Sequence, residues 1–398
     1  MNPYKIALVS DWFLPRTGGI ERHIVELARE LTGRGCSVEI ITATRGAAVA
    51  DELPGVPIIR LDCPLLPRYG TIFRPRELAK LTELFSARGY DLVHGHSLYS
   101  PLAMAAMHAG RALRIPTVLT AHSLVRYAAM AVFRALDYRL MWSSWPSVIT
   151  AVSEAVAADL RRASFNSEVH VVPNGLQLAA PVERGAGDGL LRIVSVTRLV
   201  SRKRPMTLMR AFAKLDQHVR GDRVARCRLV FVGDGPLRGA LEREARRLHV
   251  GDRVEFRGWC SAEEVSAELR RANIFALATK KEAFGIAALE AAAAGTPVVV
   301  MGGSGAAELF TPGVDGLVAD SDDALTTCLA TLVEDRALRE RLGDRARSLA
   351  ERFAWSSVID RTLGLYRLAV RRMGDRSGAA LDSTVERLPV MRMARGAR

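Results

Sequence analysis

Short apolar runs that end at turn residues alternate along this chain with amphipathic segments. Residues 4–9 form the first run, which is typical of a buried parallel strand. Apolar residues then recur at helical spacing from Ile20 to Leu31, and Gly33 and Gly35 end that segment. The same alternation predicts further strands at residues 38–42, 92–94, 117–120, 148–151 and 170–172.

The alternation starts again after a turn-rich stretch, residues 173–189, that reads as a linker. Strands are predicted at residues 191–196, 229–232, 254–256, 274–277 and 297–300. Strand–helix alternation gives parallel sheets that are covered on both faces. We therefore expect an α/β protein with two Rossmann-like doubly wound domains that face an inter-domain cleft. The expected parts are a first domain at 1–178, a second domain at 190–355, a helix at 356–372 that crosses back to the first domain, and a loose basic tail at 373–398.

Composition narrows the class of protein. Of the 398 residues, 49% are apolar and 25% are charged, which excludes wholesale disorder. No apolar run reaches the roughly 18 residues that a spanning helix needs, and the first run is too short for the core of a signal peptide. The five cysteines show no C-x-x-C spacing, which disfavours a disulfide framework or a zinc knuckle. We expect a cytoplasmic protein.

The net charge of +13 indicates a polyanionic partner, which could be nucleic acid, an anionic membrane or a phosphorylated ligand. Residues 192–228 alone carry 11 basic and 2 acidic side chains. Such a local surplus favours a phosphate site over a basic coat, although most of these arginines fit a solvated helix face. No helix-turn-helix, RNP-like or zinc pattern is present, so we expect no nucleic-acid partner.

Two segments have the residue types of a diphosphate site. Gly18 and Gly19 follow the first strand and open a helix, where backbone amides can approach an anion, although a simple tight turn is an equal alternative. The loop does not match G-x-G-x-x-G, which disfavours NAD. Arg198 and Lys203 follow the strand at 191–196, where two cations could clamp a diphosphate. Spacing alone does not rank them against their neighbours Arg202 and Arg204.

Glu282 and Glu290 flank the segment Ala283-Phe284-Gly285-Ile286. The amides between them would form a helix N-terminus that can hold a phosphate, while the carboxylates accept hydrogen bonds from sugar hydroxyls. Spacing alone favours a pair of helix-surface glutamates. Gly285 and the small residues at 291–295 favour a tightly packed helix instead.

Histidines follow two of the predicted strands of the first half. His122 comes after the strand at 117–120 and should point into the cleft, although a lone histidine is more often structural. His94, His96 and His122 could be read as metal ligands. They come from different strand ends without a carboxylate at ligand spacing, so we expect no metal.

Two basic stretches in the first half suit a membrane interface. The segment at 123–145 mixes arginines with aromatic residues, and a second basic stretch precedes it. The alternative is an amphipathic core helix whose aromatic residues pack inward, and we favour the membrane slightly. The candidate contact residues are Arg68, Arg74, Arg76, Arg126, Arg134, Arg139 and Trp142.

Taken together, these motifs resemble the retaining glycosyltransferases of family 4, which have the two-domain GT-B fold. The resemblance covers residues 4–370, and the Glu282-x7-Glu290 motif is its most specific part. The first half is similar to the catalytic subunit of phosphatidylinositol N-acetylglucosaminyltransferases, with phosphatidylinositol mannosyltransferases as close alternatives. The stretches that carry this similarity are Ser10-Asp11-Trp12-Phe13, Thr71-Ile72-Phe73-Arg74, His94-Gly95-His96-Ser97 and His122-Ser123-Leu124.

The resemblance implies roles for the candidate residues. Catalysis would involve His122, Arg198, Lys203 and Glu282, with Arg198 and Lys203 on the diphosphate and His122 and Glu282 on the donor sugar. Glu290 would bind the ribose hydroxyls. The remaining donor contacts would be Gly18 and Gly19 over the diphosphate, the amides of Phe284, Gly285 and Ile286 near the sugar, and the backbone around Gly258 and Trp259 at the base. One departure is Arg204, which stands where the family usually has glycine.

The resemblance implies transfer of a hexose or N-acetylhexosamine from a nucleotide-sugar, UDP-linked, to a lipid-linked or cell-envelope glycan acceptor. The sequence offers no obvious nucleophile on the far face of the sugar, which favours front-face attack with retention. We expect neither a cofactor nor a catalytic metal, because the cations and the helix dipole offset the charge of the leaving diphosphate. The enzyme would be cytoplasmic or peripheral on the inner face of the membrane. The alternatives are an epimerase or phosphorylase of the same fold and a non-catalytic membrane-associated protein.

Overall fold

The computed structural model describes residues 4–16, 18–46, 53–66, 70–71, 75–164, 168–178 and 189–382. Within them, the first domain is built on a seven-stranded sheet in which every neighbouring pair of strands is parallel. The order across the sheet is β3-β2-β1-β6-β7-β8-β9, and β4 pairs with β5 in a separate antiparallel hairpin. The strands are β1 Lys5–Ser10, β2 Ser37–Thr42, β3 Ile58–Arg60, β4 Leu65–Leu66, β5 Gly70–Thr71, β6 Leu92–His96, β7 Thr117–Ala121, β8 Val148–Ala151 and β9 Val169–Val171.

Helices connect these strands and cover both faces of the sheet. Several begin at a side chain that caps the first turn. Ser100 accepts from the Ala103 amide and Ser153 from the Val156 amide, which satisfies backbone donors that would otherwise lack a partner. The helices are α1 Gly19–Gly33, α2 Pro75–Arg88, α3 Pro101–Ala112, α4 Tyr127–Leu140 and α5 Glu154–Ala163.

The second domain has a six-stranded sheet in the order β12-β11-β10-β13-β14-β15, again with parallel neighbours throughout. Its strands are β10 Leu191–Val196, β11 Cys227–Val232, β12 Val254–Gly258, β13 Ile274–Leu277, β14 Val298–Met301 and β15 Leu317–Ala319. Its helices are α6 Pro205–Ala213, α7 Leu215–His218, α8 Arg238–Arg247, α9 Ala262–Arg271, α10 Ile286–Ala293, α11 Asp322–Glu334 and α12 Arg336–Glu351. The strand order reverses between β10 and β13, and open α/β sheets bind ligands at such a switch point.

The last helix, α13 Trp355–Asp382, packs on the first domain against α1, β7 and β8. Tyr366 lies fully buried in this contact and bonds to His94 across 2.8 Å. The helix also buries Met373, so the expected loose tail from residue 373 is wrong up to Asp382. Met373 continues the buried face of the helix past that boundary, and residues 383–398 lie outside the described part of the chain.

The predicted strands are all present, and their ends differ from the predicted ones by at most two residues. The sequence missed β3, the β4–β5 hairpin and β15. Each of these strands has only two or three residues, too few to show a period, although β9 is equally short and was predicted. No helix in the described residues is both long enough and apolar enough to cross a bilayer.

Candidate active site

The N-terminus of α10 lies at the switch point of the second sheet, in the loop that follows β13. Gly285 caps the helix with a φ of +87°, a left-handed conformation that favours glycine. A Cβ atom there would lie 2.6 Å from Ala306 Cβ, so the turn also needs the missing side chain for space. Both features hold the first amides of α10 open to the cleft, where they can bind an anion.

Lys203 and Glu282 meet beside this helix N-terminus. Lys203 Nζ lies 2.5 Å from Glu282 Oε2, and both side chains are largely buried. Thr279 donates its hydroxyl to the Lys203 carbonyl across 3.2 Å, which fixes the loop after β10 against the loop after β13. The structure therefore joins two candidate residues that are separated by 79 positions in the sequence.

The structure also separates the basic residues that spacing could not rank. Arg204 turns away from the cleft and pairs with Asp322, with two nitrogen–oxygen distances of 2.8 and 2.6 Å. Its φ of +55° explains why glycine suits this position in the family. Arg198 follows β10 directly and is exposed, with no hydrogen bond or ion pair to its side chain among the described residues. Its guanidinium is therefore available to a ligand.

Glu290 bonds across the cleft to the first domain. Its Oε1 accepts from Arg22 Nη1 at 2.9 Å, and Arg22 lies in the first turn of α1. Burial raises the pKa of the Glu290 carboxyl, while the nearby Arg22 guanidinium opposes that shift. Sequence reasoning assigned no role to Arg22, because its partner lies 268 residues further along the chain.

Two more contacts join the domains beside this ion pair. Ser153 donates its hydroxyl to the Ala283 carbonyl across 2.5 Å. Glu308 accepts from the Glu154 and Ala155 amides at 2.7 and 2.6 Å, so a carboxylate of the second domain occupies the N-terminus of α5. Ser153 and Glu308 were not predicted either, and the three contacts together describe a closed cleft.

The loop of Gly18 and Gly19 forms the opposite wall. Gly18 has an extended backbone, and a Cβ on it would lie 2.4 Å from Glu21 Oε2. A Cβ on Gly19 would meet no atom within 4 Å, so this side of the loop is open. Glu21 is buried, its pKa is raised by burial, and Arg16 lies 3.5 Å from its carboxylate.

Four histidines of the first domain, His23, His94, His96 and His122, lie together beside the cleft. His96 Nδ1 lies 3.1 Å from His122 Nε2, and His94 is held by Tyr366 and by Thr120 at 2.7 Å. Burial lowers the pKa of all four, to about 4 for His23 and about 3 for His94, so the rings are neutral at pH 7.

Although they come from different strand ends, the structure brings histidines together here, because the adjacent parallel strands β6 and β7 end at the same edge. His23, His96 and His122 bring one ring nitrogen each within 4.8 Å of the others, a grouping that could hold a metal ion. His23, which the sequence did not single out, takes the place expected for His94. The absence of a metal stays a prediction.

Comparison with known proteins shows the family to which this chain belongs. The crystal structure of Anabaena HepE in complex with UDP and glucose superposes with a TM-score of 0.70 at 19% identity, covering 96% of this chain and 100% of that one. The profile of Glycosyltransferase Family 4 matches residues 17–180, and that of Glycosyl transferases group 1 matches residues 181–349. The chain is a glycosyltransferase of the GT-B fold.

Relatives of this glycosyltransferase align along nearly its whole length. D-inositol 3-phosphate glycosyltransferase 1 of Catenulispora acidiphila is 29% identical, covering 92% of this chain and 96% of the relative. The gpi3 subunit of Schizosaccharomyces pombe phosphatidylinositol N-acetylglucosaminyltransferase is 26% identical, covering 90% of this chain and 79% of the relative. The gpi3 subunit agrees with the resemblance to the phosphatidylinositol enzymes, while the D-inositol 3-phosphate glycosyltransferase is a relative of different specificity.

The glycosyltransferase has a cavity of about 290 Å³ between its domains, lined by Arg22 and Glu290 together with residues of α9, α10 and α12. Gly258, with a φ of +72°, ends β12, and its carbonyl accepts from the Gly233 amide at 2.7 Å. Trp259 follows with 71% of its surface exposed. Gly258 is itself buried, so of these two residues it is Trp259 that presents an exposed aromatic ring at the carboxyl edge of the second sheet.

The proposed membrane contacts of the glycosyltransferase divide into three groups. Trp142 is 3% exposed and donates its indole N–H to the Phe133 carbonyl at 2.9 Å, so its inclusion was wrong: the ring fills the core beneath α4. Arg68 and Arg74 lie outside the described residues. The exposed candidates are Arg76, Arg126, Arg134 and Arg139.

Proposed function

We propose that this glycosyltransferase transfers a hexose or N-acetylhexosamine from a UDP-sugar to a lipid-linked or cell-envelope glycan acceptor, with retention at the anomeric carbon. The observation that carries the proposal is the convergence of Lys203, Glu282 and the N-terminus of α10 at the switch point of the second sheet. The UDP complex of HepE, which shares the fold, supports UDP as the nucleotide.

In this proposal each residue of the donor site has a role. Arg198 and Lys203 bind the diphosphate, and the amides after Gly285 add the positive end of a helix dipole. These groups stabilise the negative charge that develops on the diphosphate as it leaves, which is the largest single contribution in reactions of this type. Glu282 accepts from the donor sugar and Glu290 from the ribose. His122, neutral and at the cleft edge of the first sheet, bonds to the sugar from the other wall.

The acceptor enters from the first domain, where we propose that α4 meets an anionic membrane. The solvent-facing side of α4 exposes large apolar and aromatic side chains: Tyr127 is 91% exposed, Tyr138 80% and Val132 56%. Arg134 and Arg139 lie among them, which is the composition of an interfacial helix. This surface favours a lipid-linked acceptor over a soluble one.

The test is a donor screen that follows UDP or GDP release. Purified enzyme is mixed with each common UDP- and GDP-sugar, alone, with D-inositol 3-phosphate, and with vesicles of phosphatidylinositol or of total membrane lipid. UDP release that depends on vesicles supports the proposal. Release that depends on the soluble inositol phosphate would replace the lipid acceptor with the substrate class that the 29%-identical relative is named for.

Two outcomes overturn the proposed reaction. Conversion of a nucleotide-sugar into an isomer, without any acceptor, would identify an epimerase. Failure of every donor to release nucleotide under all of these conditions would contradict the transfer and leave the phosphorylase and the non-catalytic alternatives. The anomeric configuration of the product, read by proton NMR, then decides between retention and inversion.

A further inference from the structure

Arg22 bridges the two domains from the first turn of α1. Its amide donates to the Gly18 carbonyl at 3.0 Å, which places it one turn beyond the open glycine loop. Its side chain is 46% exposed and reaches across the cleft to Glu290, with a nitrogen–oxygen distance of 2.9 Å. Both residues line the same inter-domain cavity of about 290 Å³.

The carboxylate in this ion pair is the one that the proposed function assigns to the ribose. The inference therefore rests on that proposed function. Glu290 lies one turn into α10 and is only 15% exposed, and among the described residues its carboxylate pairs with Arg22 alone. A nucleotide whose ribose hydroxyls donate to Glu290 must displace the guanidinium. The ribose and Arg22 thus compete for the same oxygen atoms.

A displaced Arg22 would remain close to the diphosphate. Glu290 lies about one helical turn, roughly 5–6 Å, from the amides that begin α10. A guanidinium leaving Glu290 therefore needs to move only about that distance to reach the phosphate oxygens. Arginine binds phosphate oxygens with two parallel N–H donors, which is stronger and more directional than a single contact.

Charge favours this exchange as well. The second domain offers Arg198 and Lys203 to the diphosphate, and once Glu290 turns to the ribose, Arg22 can add a cation from the opposite wall of the cleft. Among the described residues, Arg22 is the cation that already crosses the cleft at this point. We propose that Arg22 is a donor-binding residue that exchanges Glu290 for the diphosphate when a nucleotide enters the closed cleft.

The test compares uridine with UDP, because the two ligands share the ribose and differ in the diphosphate. Dissociation constants are measured by isothermal titration for the wild-type protein, Arg22→Ala and Arg22→Lys, with guanosine and GDP in parallel. Arg29→Ala is the matched control, since Arg29 lies on the same helix and pairs with Glu26 at 2.8 Å, outside the cleft. Circular dichroism checks that each variant is folded.

We expect Arg22→Ala to bind uridine more tightly, because nothing then competes for Glu290, and to bind UDP about tenfold or more weakly, as loss of a charged hydrogen bond requires. The ratio of the uridine to the UDP dissociation constant therefore falls sharply, less so in Arg22→Lys and not in Arg29→Ala. An unchanged ratio in Arg22→Ala overturns the role of Arg22. If the wild-type protein binds neither UDP nor GDP, the proposed function itself is wrong.

Discussion

The cap of α10 gives the sharpest test of how the sequence builds the donor site. Gly285→Ala adds one methyl group to a residue with a φ of +87°. The left-handed backbone costs an L residue about 1–2 kcal/mol. The new Cβ would also lie 2.6 Å from Ala306 Cβ and 3.2 Å from its Cα, and overpacking of this kind costs about 1–3 kcal/mol.

These contributions predict that Gly285→Ala lowers the free energy of unfolding of the second domain by about 2–5 kcal/mol. The measurement is urea denaturation followed by circular dichroism. Gly303→Ala is the matched control, because its φ of +69° is similar but a Cβ there meets no atom within 4 Å. Gly303→Ala should therefore lower the free energy of unfolding only by the cost of the left-handed backbone.

A second variant isolates the steric part. The double substitution Gly285→Ala with Ala306→Gly removes the 2.6 Å contact and should recover part of the lost stability and of UDP binding. If Gly285→Ala is no more destabilising than Gly303→Ala and binds UDP as the wild-type protein does, the packed turn does not position the site. The proposed anion seat at α10 would then be wrong.

Three other predictions concern the first domain. Tyr366→Phe leaves His94 Nδ1 without its buried partner and should lower the free energy of unfolding by about 1–3 kcal/mol in urea; an unchanged midpoint would contradict the contact. The buried histidines bind protons more readily when unfolded, since their folded pKa values are lowered, so stability should fall as the pH drops below about 6.5. A flat profile between about pH 7 and pH 5 would mean that they titrate normally. Arg139→Glu should weaken co-sedimentation with anionic vesicles while the exposed second-domain control Arg243→Glu does not, and equal binding by both variants would remove the membrane role of α4.

Much of the fold was predictable from the sequence, because doubly wound domains give a regular alternation of strand and helix segments. Strands buried on both faces appear as continuous apolar runs, and the turn residues between them mark where each ends. The strand at 274–277 was predicted to the residue for this reason. Of the strands with only two or three residues, β9 was predicted, while β3, β4, β5 and β15 were missed because so few residues cannot show a period.

The residues of the candidate site also fall into those that the sequence predicted and those that it missed. Lys203, Glu282 and Glu290 lie near strand ends and helix starts, which made them candidates, but their roles came from the family resemblance because spacing alone did not decide them. Arg22 and Glu308 act through pairings between the two domains, and nothing within a few residues of either signals its partner. Trp142 shows the opposite error: an aromatic residue near arginines suggested a surface, while the fold buries it.

The central claim is that the loop after β10 and the start of α10 hold a nucleotide diphosphate. Titration of UDP into the wild-type protein, Lys203→Ala and Lys214→Ala tests it most directly, since Lys214 also pairs with an acidic residue, Asp323 at 2.8 Å, but on the outer surface. We predict one UDP per chain, an affinity about tenfold or more weaker in Lys203→Ala, and no change in Lys214→Ala. Equal affinity in all three proteins, with folding intact, would contradict the claim.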